Sequence, residues 1–303
     1  MVINVILPVL FVLLVGYLFG RFTDVDLSPI SKLAITVLSP ALIFSFLVRN
    51  TLSSSQLFQI IFSVLIFTLM MTLLTVIIIK WTGSGQWLIP SLLSTVFPNT
   101  GNYGLPIVLF AYGESAFSLA VVIVVINFIL MYSLGIYFAI LSKDSWKQAL
   151  TKIIKLPTTY ATILAILVNL FSIEIPNFIY DPVKMVGESM IPLALLLLGI
   201  QLSKTNIKGH VSTAIIASAL KMIAAPIVIF VIVLIAGIDG TIAKVIILLN
   251  SMPTAVVMTM IATEYKSGAD MVANVTLITT LTSFFSITTL LYLLEIIFGK
   301  ATI

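Results

Sequence analysis

Apolar residues run through this chain in long blocks, separated by short polar interruptions. A helix needs about 20 mostly apolar residues to cross a bilayer. On that rule the sequence predicts about ten spanning helices, near 2–20, 30–49, 57–80, 87–112, 115–141, 156–174, 182–202, 211–236, 241–263 and 271–298. Connections such as Thr82-Gly83-Ser84-Gly85 and Gly237-Ile238-Asp239-Gly240 are turn-like and leave no room for a soluble domain. The polar stretch 142–155 divides the blocks into two sets of five, 1–141 and 156–303. An odd number of spans per half turns the second half upside down, so the pattern predicts an all-α membrane protein with a 5+5 inverted repeat.

Two blocks are interrupted from within. Pro98-Asn99-Thr100-Gly101-Asn102-Tyr103-Gly104-Leu105-Pro106 falls inside the fourth, and Asn250-Ser251-Met252-Pro253-Thr254 inside the ninth. Proline removes a backbone donor and clashes with the preceding turn. In hydrocarbon every freed polar group needs a partner, so irregular backbone is tolerated only where it is buried in protein or lines a cavity. The breaks occupy corresponding places in the two halves, as do Pro40 in the second block and Pro192 in the seventh. Paired broken helices build the substrate sites of secondary transporters.

Composition sharpens this picture. The chain is 60% hydrophobic and 9% charged, with a mean hydropathy of +1.24, as expected for an integral membrane protein. The net charge of +4 does not point to nucleic acid, because the cations gather in loops. Ten of the 15 Lys and Arg residues fall on the side of the 142–155 loop. The positive-inside rule therefore puts that loop in the cytoplasm and both termini outside, in the plasma membrane. With no cysteine and a single histidine, His210, the sequence predicts no disulfide, thiol nucleophile, metal site or other cofactor. The Val2–Phe19 stretch lacks the basic start and small-residue cleavage site of a signal peptide, and reads as the first span.

Chemistry concentrates at the breaks. Pro98, Asn99, Thr100 and Asn102 in the first, and Asn250, Pro253 and Thr254 in the second, are the candidate substrate-binding residues. Asparagine offers donors and an acceptor. Each break also begins a new half-helix whose free N–H groups favour an anion. Alternatively, these side chains satisfy backbone freed by proline. Asn127, mid-span in the fifth block, is either a ligand contact or an interhelical hydrogen bond. Glu188 and Lys221 are the ionisable groups deep in spans, and such groups are functional candidates. Either could couple transport to H+ or Na+ or balance charge. For Glu188 a structural pair, and for Lys221 snorkelling toward water, are the alternatives. Gly16-x-x-x-Gly20 is a weak packing motif. No catalytic triad, phosphate loop, zinc spacing or ATP motif is present, so an enzyme is not expected.

These motifs resemble the auxin efflux carrier family, which includes the plant PIN-formed carriers and bacterial malate and malonate permeases. Pro98-Asn99-Thr100 with Gly104-Leu105-Pro106 resembles the family's fourth-helix crossover, and Tyr112-Gly113-Glu114 the turn after it. Glu188 with Gly199, Lys221 with Pro226, and Pro253 with Glu264-Tyr265 are similar to its seventh, eighth and ninth helices. The resemblance spans essentially the whole chain. It implies a scaffold domain and a crossover transport domain drawing helices from both repeats, a homodimer, elevator-like movement, and Asn99 as the leading ligand contact. Three features depart from the plant members. There is no long central hydrophilic loop, Asn127 stands where they carry glutamine, and Ile43 (with Ser45 close by) stands where they carry serine. The last two place auxin itself in question as substrate. The expectation is a secondary carrier of a small organic anion, such as a dicarboxylate, with membrane lipid as its other partner. A receptor that binds such an anion without moving it is the rival.

Overall fold

The computed structural model describes residues 2–48, 53–140, 157–171, 173–204 and 211–299. The 142–155 loop, Arg49, His210 and Trp146 lie outside them. Helices account for nearly all of the described residues, and no strand is present among them. In order they are α1 (Val2–Phe22), α2 (Leu27–Leu33), α3 (Ser39–Val48), α4 (Ser54–Trp81), α5 (Leu88–Val96), α6 (Leu105–Leu130) and α7 (Ile136–Ile140). After the loop come α8 (Pro157–Leu170), α9 (Asn177–Glu188), α10 (Met190–Lys204), α11 (Val211–Ala219), α12 (Ala225–Ile235), α13 (Gly240–Asn250), α14 (Val256–Glu264) and α15 (Ala269–Phe298).

Widened π turns over Ala34–Leu38, Thr100–Gly104 and Leu220–Ala224 each stand two residues before a proline: Pro40, Pro106 and Pro226. The proline ring crowds the carbonyl four residues back and offers it no donor, and an i→i+5 turn relieves that clash. The helix therefore runs on through these three prolines.

Among the described residues, six helical stretches are long and apolar enough to span a membrane. Ten were expected. Part of the difference comes from the breaks. The longest stretch, Thr100–Ile140, has 41 residues, about 60 Å if straight and twice a bilayer's hydrocarbon core. Gly113, at φ 77°, interrupts it at the predicted boundary between the fourth and fifth blocks. In contrast, α5 and α14 have 9 residues each, half a crossing. Large apolar side chains face outward, Phe285 being 81% exposed, which suits a surface solvated by lipid.

The packing motif in α1 proves tight. A Cβ at Gly16 would collide with the Leu196 backbone, and one at Gly199 would collide with the carbonyl of Leu13. Backbones of α1 and α10 thus touch directly, the close approach that small residues allow where lipid removes the hydrophobic drive to associate.

Candidate functional site

The two interrupted blocks meet. The Asn99 amide donates to the Pro253 carbonyl at 2.7 Å, and the Ala255 amide donates to the Phe97 carbonyl at 3.0 Å. These two bonds form an isolated antiparallel bridge centred on Pro98 and Thr254. Proline has no N–H to offer, so each break uses its neighbour's donor to satisfy the other break's carbonyl. Asn99 itself is the centre of an inverse γ-turn, with φ −77° and ψ 64°. The Thr100 amide closes that turn onto the Pro98 carbonyl at 2.9 Å.

Hydroxyls fix the junction to its surroundings. Thr254 Oγ1 donates to the Ser94 carbonyl of α5 at 2.7 Å, and the Thr254 amide donates to Thr279 Oγ1 of α15 at 3.2 Å. Ser283 Oγ of α15 donates to the Tyr103 hydroxyl at 3.1 Å, clamping the segment that carries Asn99 and Asn102. Thr75 and Thr95 join α4 to α5 at 2.8 Å.

Beside the junction is a cavity of about 60 Å³, counted as room for the centres of water molecules. A single water occupies about 10–15 Å³ on that measure, so the space suits a ligand of several heavy atoms. Pro98, Asn99, Thr100 and Asn102 line it on one side, and Ala255, Val256 and Val257 on the other. The π turn leading into α6 and the first turn of α14 therefore both border the space, where amides lack intrahelical acceptors. Asn99 Nδ2 and Thr100 Oγ1 are buried with no hydrogen-bond partner. A donor orphaned in this way costs about 1–3 kcal/mol, and a ligand that accepts from it would recover that cost. Among the described residues, no charged side chain lines the cavity. An anion there would be held by amides, hydroxyls and helix ends.

The other predicted residues stand elsewhere. Pro253 and Thr254 build the junction behind the cavity. Asn127 Nδ2 donates to its own helix, to the Ile123 carbonyl at 3.0 Å. Asn250 Nδ2 does the same with the Ile246 carbonyl at 2.8 Å. Neither lines the cavity. Glu188 ends α9 at the Ser189 break, with its side chain 44% exposed and 3.4 Å from Lys184 Nζ. This is the structural-pair alternative, produced by i,i+4 spacing on one helix. Lys221 sits in a π turn, wholly buried, its Nζ 5.6 Å from the centre of the Phe67 ring. Its surroundings are those of a cation–π contact, and Glu188 is not its partner.

Five polar residues of the cavity wall were not among the predicted binding residues: Ser31, Ser39, Tyr132, Thr158 and Gln201. Ser39 was visible beside Pro40. Gln201 is an amide in the apolar run of the seventh block, a signal of the same kind as Asn127.

A family model described as membrane transport protein matches residues 1–147 and 143–292. The chain belongs to that family. It is the auxin efflux carrier family whose motifs the sequence carries. An uncharacterised transporter of Methanocaldococcus jannaschii is 28% identical over 293 residues, covering 91% of this chain and 94% of the relative. Another, from Methanothermobacter thermautotrophicus, is 24% identical over 292 residues, covering 93% and 95%. The similarity thus runs through both halves and includes the junction.

Proposed function

We propose that this member of the membrane transport protein family is a secondary carrier of a small organic anion, a dicarboxylate by preference, which binds in the cavity beside the junction. One observation carries the reading. The unpartnered Asn99 amide and Thr100 hydroxyl are buried at an uncharged cavity flanked by two helix beginnings. Such a site binds a carboxylate through neutral donors and so releases it again, as transport requires. The cavity's size favours short acids over an indole acid. Pairing of the two breaks supports a 5+5 inverted repeat with crossing fourth and ninth helices. In this reading the crossing moves with its ligand against a scaffold drawn from both halves, in an elevator-like cycle. The molecule works as a homodimer in the plasma membrane, with both termini outside and the 142–155 loop in the cytoplasm. Catalysis is not part of the proposal.

In the same reading Glu188 is charge-balanced by Lys184, and Lys221 is the residue assigned to coupling or charge balance. Counterflow in proteoliposomes with labelled malate, malonate, lactate and indole-3-acetate tests the reading. We expect exchange of a short acid whose half-saturation Asn99→Ala weakens at least about tenfold. Saturable binding of the acid with no flux would instead establish the receptor, and exchange that Asn99→Ala leaves unchanged would discard the site.

A further inference from the structure

The cavity at the junction does not stand alone. A second cavity, of about 220 Å³, shares Gln201, Val256 and Met260 with it. That second cavity shares Lys204 in turn with a polar surface depression formed by Arg21, Asp24 and Ser203. The three spaces therefore follow one another from an exposed, charged surface to the buried Asn99 amide.

Helical spacing explains the alignment. Leu197, Gln201 and Lys204 lie at i, i+4 and i+7 on α10, so one face of that helix runs from the central cavity to the surface. Val256, Thr259 and Met260 present a matching face of α14, and Ala273, Thr276 and Leu277 one of α15. At the outer end Lys204 Nζ is held by the Val25 carbonyl at 2.6 Å and Asp24 Oδ1 at 3.4 Å. Arg21 borders the same depression. Between the two cavities the wall is Gln201 opposite Val256 and Met260, and Gln201 alone of the three carries hydrogen-bonding groups.

We propose that Gln201 is a specificity-determining residue at the neck of an access route, which opens on the face bearing Arg21 and Lys204. Its amide donates to a passing carboxylate, and its length, set against Met260, restricts the neck to short acids. The identity of the passing ligand rests on the transport reading above. The route itself does not.

The chain has no cysteine, so single cysteines can report the route directly. Val257 lines the central cavity but not the second, and lies beyond the neck. In proteoliposomes of the full chain, Val257→Cys should react with a membrane-impermeant, negatively charged thiol reagent from the Arg21–Lys204 face. Adding Gln201→Glu places a like charge at the neck. It should lower the ratio of anionic to cationic labelling rates about tenfold, whereas Gln201→Asn should leave that ratio within about twofold. Ala273→Cys, outside the neck, should react with every background, which shows that the variants are folded and the route's mouth intact. Labelling of Val257→Cys only from the opposite face, or a ratio unmoved by Gln201→Glu, would overturn the inference. Labelling as expected with no flux of any acid would uphold the route and sink the transport reading. Flux with Val257→Cys inert from the Lys204 face would do the reverse.

Discussion

The breaks at 97–104 and 250–255 look alike in sequence, each an asparagine- and proline-containing interruption of an apolar block, yet they end in different chemical states. The first leaves Asn99 Nδ2 and Thr100 Oγ1 unpartnered beside a cavity. The second is mostly occupied with holding the first, and its buried, unpartnered Asn250 Oδ1 does not line the cavity. Thr254 is bonded to both α5 and α15, Ser251 Oγ donates to the Ile247 carbonyl, and Asn250 Nδ2 is turned back onto its own helix. Two half-helix breaks that pair with each other need not share the binding work. One can hold the geometry while the other presents the donors.

That division can be attacked directly. The largest effect is expected from Asn99→Ala set against Asn250→Ala. A hydrogen bond to a charged ligand contributes about 1.5–3 kcal/mol, so loss of the Asn99 amide should weaken the acid's half-saturation about 10- to 100-fold. Asn250→Ala should change it less than about threefold. Equal losses in a counterflow titration would erase the distinction between the breaks.

Next, Thr254→Val removes the hydroxyl bonded to Ser94 without changing side-chain shape. It should cost about 1–3 kcal/mol of stability, read as a lowered thermal midpoint in detergent, with the acid's affinity nearly unchanged. A selective loss of affinity at constant stability would move Thr254 into the binding site.

Lys221→Met tests the buried cation. Lys221 Nζ is buried with no hydrogen-bond partner, and a polar group buried in that way costs free energy that an apolar side chain does not. The midpoint should hold or rise while exchange falls. A variant that keeps full exchange would remove Lys221 from the transport cycle.

The smallest effect belongs to Glu188→Gln. The Lys184–Glu188 pair is partly exposed at 3.4 Å, and such pairs contribute well under 1 kcal/mol. Stability and exchange should both stay within about twofold of the native protein. Loss of exchange, or of its pH dependence, would return Glu188 to a coupling role.

Much of the fold was legible because the signals are local. An apolar block of membrane length, a proline inside it and a glycine at its end each act on a few neighbouring residues. The block boundary at Gly113 and the interruptions near Pro98 and Pro253 could therefore be read directly. Packing of Gly16 against α10 was only hinted at by the GxxxG spacing, because Gly199, its counterpart, lies far along the chain.

The site was legible in half. Pro98, Asn99, Thr100 and Asn102 stood out as polar residues in irregular backbone, and they do line one cavity. Asn127 and Asn250 carry the same chemistry but point to carbonyls of their own helices. A sequence reports that an amide is present, not which way a helix turns it. Glu188 read as buried because its neighbours are apolar, whereas the helix ends beside it and Lys184 lies one turn away.

The sequence by itself determined that this is a helical membrane protein, where its helices break and which polar groups the breaks release. Hydrophobic length and proline sterics are properties of short stretches, and no distant contact can cancel them. Only the tertiary structure decided that the two breaks bond to each other, that one of them faces a cavity, and that Gln201 joins that cavity to a second. Those outcomes depend on how helices far apart in the chain are rotated and packed, and the bridge between Asn99 and Pro253 spans too much sequence for any local rule to anticipate.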